Sequence, residues 1–126
     1  MSNAHQHRAR SENPVATKSF AFSLQVVRIH KTLQSKSEFV LSRQLLKSGT
    51  SIGANVEEAL GAISKREFAA KMGIAYKEAR ESEYWIRLLY SSGYLPEEEN
   101  IGLQRGVEEL LRILGSTLRT LRKNQS

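Results

Sequence analysis

The 126-residue sequence contains no cysteine. Disulfides and thiolate metal sites are thereby excluded, and a reducing compartment, with the cytoplasm as the default, is the expected location. No apolar run approaches the roughly 18 residues of a membrane span. Met1 to Thr17 also lacks the apolar centre of a secretory signal. Histidine is scarce, with three residues in all, and no Glu-x-x-His occurs. A two-metal carboxylate centre in a helical bundle needs two such pairs. Glu57, Glu58, Glu78 and Glu81 therefore amount at most to an acidic cluster, with Lys71, Lys77 and Arg80 as its partners. No serine has a legible histidine and acid beside it, and Lys47 precedes Gly49 instead of following a glycine as in a phosphate-binding loop. The residues thus point to no cofactor, no metal and no catalysis. With only two prolines, long helices are free to form.

What is present is a basic surplus and a helical period. The formal net charge is +6 and the sequence pI about 9.8, which favours RNA, DNA or an acidic protein surface as partner. Met1 to Thr17 is polar and reads as a disordered arm, in which Ser2-Asn3-Ala4 resembles the remnant of an expression tag and His5 and His7 are tail residues. A first helix is expected from Lys18 to about Ser35, with Phe22, Val26, Ile29 and Leu33 inward and Phe20, Leu24 and Val27 widening the stripe. His30 lies on it without a ligand partner, as a surface or interface residue. Ser37 is placed to cap a second helix over 38–63. Ser64 to Glu67 matches a capping box and opens a third helix to about Ser92. Gly93 and Pro96 punctuate the step to a fourth, which starts with Glu97, Glu98 and Glu99 against the helix dipole and ends near Arg122. Four amphipathic helices with short turns make an all-α chain, an antiparallel up-and-down four-helix bundle over 18–123, with 124–126 as a disordered tail.

The central stretch from Gln44 to Ala59 mixes two signals. Leu41, Leu45, Ser48, Ile52, Val56 and Ala59 mark one helix face. Gly49 and Gly53 each cost a helix about 1 kcal/mol against alanine, so a close backbone approach is the expected return. Asn55 and Glu58 bring polar groups to the same turns. On the third helix Phe68, Met72, Ala75, Ala79, Ser82, Ile86 and Leu89 form a strict stripe, whose small centre should face the small surface of helix two. A second stripe beside it, Lys71, Ile74, Glu78, Glu81, Trp85 and Leu88, reads either as a subunit interface or as a cap of one chain's core around Trp85. On the fourth helix Leu103, Val107, Leu110, Leu114, Leu118 and Leu121 point inward. Arg105, Arg112 and Arg119 recur every seven residues, with Arg122 and Lys123 beyond. Such a stripe either follows phosphates or is a surface salt-bridged to Glu108 and Glu109. Arg43, Lys47, Lys65 and Arg66 form a second basic group.

The run from Leu41 to Ala59 resembles the signature of the four-helix-bundle proteins encoded in intervening sequences of bacterial large-subunit (23S) ribosomal RNA genes. Its second half recurs in Ser64-Lys65, Phe68, Lys71, Ile74-Ala75, Lys77-Glu78-Ala79-Arg80-Glu81 and Tyr84-Trp85-Ile86 with Leu88-Leu89. The fold is also similar to that of the retroelement accessory variability protein. The resemblance implies a basic bundle that assembles into homo-oligomers, with ring-shaped pentamers the expected form, and it strengthens both the subunit-interface and the nucleic-acid readings. The resulting expectation is a non-enzymatic, oligomeric bundle that holds nucleic-acid backbone; the alternative is an interaction scaffold for a protein partner. Exposed aromatics for base stacking are expected to be few.

Overall fold

A computed structural model describes residues 13–125. Four helices follow one another: α1 Pro14–Ser35, α2 Val40–Leu60, α3 Lys65–Ser91 and α4 Glu97–Gln125. Each packs on its neighbours in sequence, and α1 and α4 close the ring by a smaller seam. The chain is therefore an up-and-down four-helix bundle, with no strand among the described residues.

Local chemistry sets the boundaries, and several differ from expectation. α1 begins at Pro14, not Lys18, because Asn13 Oδ1 accepts from Val15 N at 3.0 Å and Ala16 N at 3.3 Å. Proline in the first turn lacks the donor that would need a partner. Val15 and Ala16 are buried, so this part of the expected arm is core; Met1 to Glu12, with the tag-like tripeptide and both tail histidines, lie outside the described residues. At the other end α4 continues through Gln125, past the expected stop. Ser37 does not cap α2. It takes a positive φ of 66°, and the buried Glu38 caps instead, its carboxylate accepting from Leu41 N at 2.9 Å and Ser42 N at 2.7 Å. The capping box before α3 forms with a shift. Ser64 Oγ accepts from Glu67 N at 3.0 Å, whereas the Glu67 carboxylate accepts from Ile63 N at 3.4 Å. Gly93 takes a φ of 87°, the left-handed position where a Cβ would be strained.

The core is the expected set of inward faces. Val26, Ile52, Val56, Ala75, Ala79, Ile86 and Leu89 have no exposed surface, and neither do Leu103, Val107, Leu110 and Leu114. Each large aliphatic side chain buried in this way contributes roughly 1.5–3 kcal/mol. Three expectations need correction. Phe20 and Leu24 do not widen the α1 stripe into the core; they are 65% and 44% exposed. Leu118 and Leu121, near the open end of the bundle, are only half-buried. The small surface of α2 does not turn as a unit to α3. Gly49 faces α1, where a Cβ would stand 2.9 Å from Val26 Cγ2 and 3.0 Å from Cγ1. Gly53 also faces α1, against Ser19 and Ser23. The contact with α3 is made by Ser48, whose hydroxyl accepts from Ser82 Oγ at 2.9 Å with both residues buried.

Val26 is β-branched, buried and stiff at χ1, so it cannot yield cheaply to a methyl group. Gly49→Ala should therefore destabilise the bundle by about 1–2 kcal/mol despite the better helix propensity of alanine. Thermal unfolding followed by circular dichroism checks this; an unchanged or raised Tm would show that the seam is not close-packed.

Candidate nucleic-acid interface

The outward surface of α4 is built by its period. Arg105 and Arg112 each follow an inward leucine, Leu103 and Leu110, by two residues, which turns them about 200° around the helix. Arg119 continues the line after two further turns. All three are exposed, as are Arg122 and Lys123. The salt-bridged alternative holds for one of them only. Arg112 Nη2 reaches Glu109 Oε2 at 3.8 Å, while Arg105, Arg119 and Arg122 make no ion pair among the described residues. Glu109 is itself held by the Lys18 ammonium of α1. The hydrogen bond from Lys18 is the main reason its carboxyl lies below the usual range, helped by the charges of Lys18 and Arg112 and opposed by desolvation.

The second basic group does not come together. Arg43 lies in the first turn of α2 and Lys65 and Arg66 in the first turn of α3, so α2 holds them apart by roughly 25 Å at about 1.5 Å per residue. Lys47 lies between. Because α3 starts where α4 ends, Lys65 and Arg66 share an end of the bundle with Arg119, Arg122 and Lys123.

The second stripe of α3 lies on the opposite shoulder of that helix, towards α2. Lys71 Nζ pairs with Glu58 Oε1 at 2.8 Å, and this hydrogen bond and charge raise the lysine pKa. Glu81 Oε2 accepts from Trp85 Nε1 at 3.0 Å, and Trp85 meets the Tyr84 ring edge-on at 5.1 Å while packing half-buried against the core. Leu88 is half-buried and Ile74 is 43% exposed. Asn55 does not reach α3: its Nδ2 donates to Ser51 O at 2.8 Å on its own helix. Trp85 thus does cap the core of its own chain, while Ile74 and Glu81 stay on the surface. Aromatics are more exposed than expected, with Phe20, Phe39, Tyr84, Tyr90 and Tyr94 all above a third; their positions beside inward residues or in turns hid this from the period. His30 is half-buried, with Nδ1 enclosed and unpartnered. Among the described residues no three acidic or histidine side chains gather as metal ligands, and no helix is long and apolar enough to cross a membrane.

Glu78 has a raised pKa, chiefly because burial penalises the charged form and secondarily because Glu81 is beside it; Lys47 offsets part of this. A carboxyl that binds its proton more tightly when folded loses stability as pH rises from its unfolded value of 4.5 through the folded one. Glu78→Gln should accordingly raise the Tm at pH 7 and leave it unchanged near pH 4. Equal shifts at both pH values would place the effect in packing and not in the charge.

The model for the 23S rRNA-intervening sequence protein family matches residues 11–116. No curated protein matches the chain. Among solved structures, a protein of unknown function from the S23 ribosomal protein family of Bacteroides thetaiotaomicron VPI-5482 is 41% identical. The match covers 82% of this chain and 97% of that one, with a TM-score of 0.80. The family match runs from α1 into the second half of α4, and the chain belongs to the 23S rRNA-intervening sequence protein family.

Proposed function

We propose that this protein is a non-enzymatic bundle that binds the phosphate backbone of nucleic acid. The observation that carries this is the line of exposed arginines on α4, of which Arg105, Arg119 and Arg122 have no acidic partner among the described residues. An unpaired guanidinium presents a planar fork that matches a phosphate oxygen pair. Contacts of this kind bind and position without reading sequence. Lys65 and Arg66 join the site at its far end, whereas Arg43 and Lys47 fall outside it. Self-association belongs to the same proposal, with a ring of five as the expected assembly, since several copies convert a modest basic surface into avid binding.

Binding of labelled structured RNA and duplex DNA, titrated at low and physiological salt, tests this. Affinity should fall steeply as salt rises, because condensed counterions are released. An Arg105→Ala, Arg112→Ala, Arg119→Ala triple variant should lose most of it. Absence of binding even at low salt would remove the proposal. A protein-partner reading is favoured by one observation, the exposed Phe20 and Leu24 on α1, and capture of one defined protein without nucleic acid would support it.

For self-association, Ile74→Glu and Trp85→Ala should both lower the mass measured by light scattering. Ile74 is exposed in one chain, so its variant reads the interface without disturbing the core. An unchanged mass for Ile74→Glu would rule out this face of α3.

A further inference from the structure

The arginine line of α4 has a counterpart on α3. The two helices are antiparallel neighbours, and a Cβ on Gly115 would lie 3.5 Å from Tyr76 Cε2, which sets their register to about one turn. Arg87 stands eleven residues beyond Tyr76 and Arg105 ten before Gly115, so the two share a level of the bundle to within about one turn. Arg80 and Arg112, four beyond and three before the same contact, are level in the same way. Seven residues past Gly115, Arg122 lies opposite Ala69, within a turn of Arg66. Lys77 fills the space between the lower rungs. Every one of these cations is exposed. Among the described residues only two are engaged by acids, and loosely, Arg80 with Glu83 at 3.9 Å and Arg112 with Glu109 at 3.8 Å.

Resting on the backbone-binding reading above, we propose that α3 and α4 form one site, a ladder of cation pairs that grips the two phosphate strands of a duplex. The spacing suits that ligand. Helix axes lie roughly 8–10 Å apart, giving two rows of charge; the two upper rungs are about 10 Å apart along the axis, and Arg122 and Arg66 follow roughly 15–21 Å further on. A duplex presents two lines of phosphate with a charge every ~1.7 Å of its length. A single strand presents one line and is held by aromatic platforms for successive bases. Here Tyr84 is the one aromatic exposed along the body of the face, while Tyr90 and Tyr94 sit at its end. The exposed Glu108, between the levels of Arg105 and Arg112, opposes the ligand. Because the contacts are to backbone, duplex geometry and not base sequence decides affinity.

The test measures anisotropy of labelled duplex RNA, duplex DNA and the corresponding single strand, against log salt, with three variants. A Lys77→Ala, Arg80→Ala, Arg87→Ala triple should bind duplex at least about tenfold more weakly and reduce the salt slope by roughly two to three, at about 0.9 per phosphate. Glu108→Gln should bind roughly two- to fivefold more tightly, as loss of one surface repulsion allows. All these positions are solvent-exposed, so an unchanged Tm verifies the fold. The relative affinities of duplex RNA and DNA identify the preferred helix form. If the α3 triple binds like wild type while the α4 triple does not, the two-helix site is wrong and the single-stripe reading stands. Tighter binding of the single strand than of either duplex overturns the duplex assignment. If neither triple alters binding, both readings fall.

Discussion

The bundle depends on the approach of α1 to α2 at Gly49. With no Cβ at that position, Val26 fills the space where a side chain would begin, and α2 can lie close against α1. One residue earlier, Ser48 turns the other way and meets Ser82 of α3 through a buried hydroxyl pair. A single turn of α2 thereby fixes both neighbours, one by missing volume and one by a hydrogen bond. The pair would be costly if half-made, since a buried hydroxyl without a partner loses about 1–3 kcal/mol. α3 then sets the place of α4, through Tyr76 against Gly115. The outer face of α3 and α4 inherits its register from this chain of contacts.

The fold was largely legible because the inward residues keep one period through all four helices. Leu103 to Leu114 shows this well: every fourth or third residue is apolar, and every one of them is buried. What periodicity cannot show is how wide a face is or which neighbour it meets. Phe20 and Leu24 lie beside the α1 stripe in any helical projection, yet no neighbouring helix covers them and both stay exposed. Gly49 and Ser48 are adjacent in sequence and about 100° apart around the helix, which is enough to send them to different partners. Caps were misread for a related reason. Ser37 and Glu38 both offer acceptors, and only the backbone path, with φ of 66° at Ser37, decides that the carboxylate reaches the free donors.

The candidate site was half legible. Seven-residue spacing on α4 is visible in one sequence segment, but its match to Arg80 and Arg87 is a property of how two helices are paired, and no single segment contains it. The scattered acids also obscured it. Thirteen acidic residues oppose nineteen basic ones, which suggests general neutralisation. In three dimensions several of those acids are committed elsewhere. Glu38 caps α2, Glu58 holds Lys71, Glu109 holds Lys18, and Glu81 accepts from Trp85. Glu38, Glu58 and Glu81 are thereby removed from competition for the arginines, and Glu109 is left only a loose contact with Arg112 at 3.8 Å.

Charge placement here is therefore a consequence of packing. The shoulders between helices are where opposite charges meet at short range, because two backbones converge there and long side chains can span the gap. Lys71 with Glu58 and Lys18 with Glu109 both lie on such shoulders. The outward crest of α4 has no facing helix; Arg105 and Arg119 make no ion pair among the described residues, and exposed pairs along one helix are worth only about 0.3–0.5 kcal/mol. The energy that holds an arginine to a neighbouring glutamate on a crest is thus small enough for a polyanion to displace it. The same arrangement on a shoulder would be spent on the fold. It is the position of the arginines on the crest of α4, more than their number, that leaves this face available to a ligand.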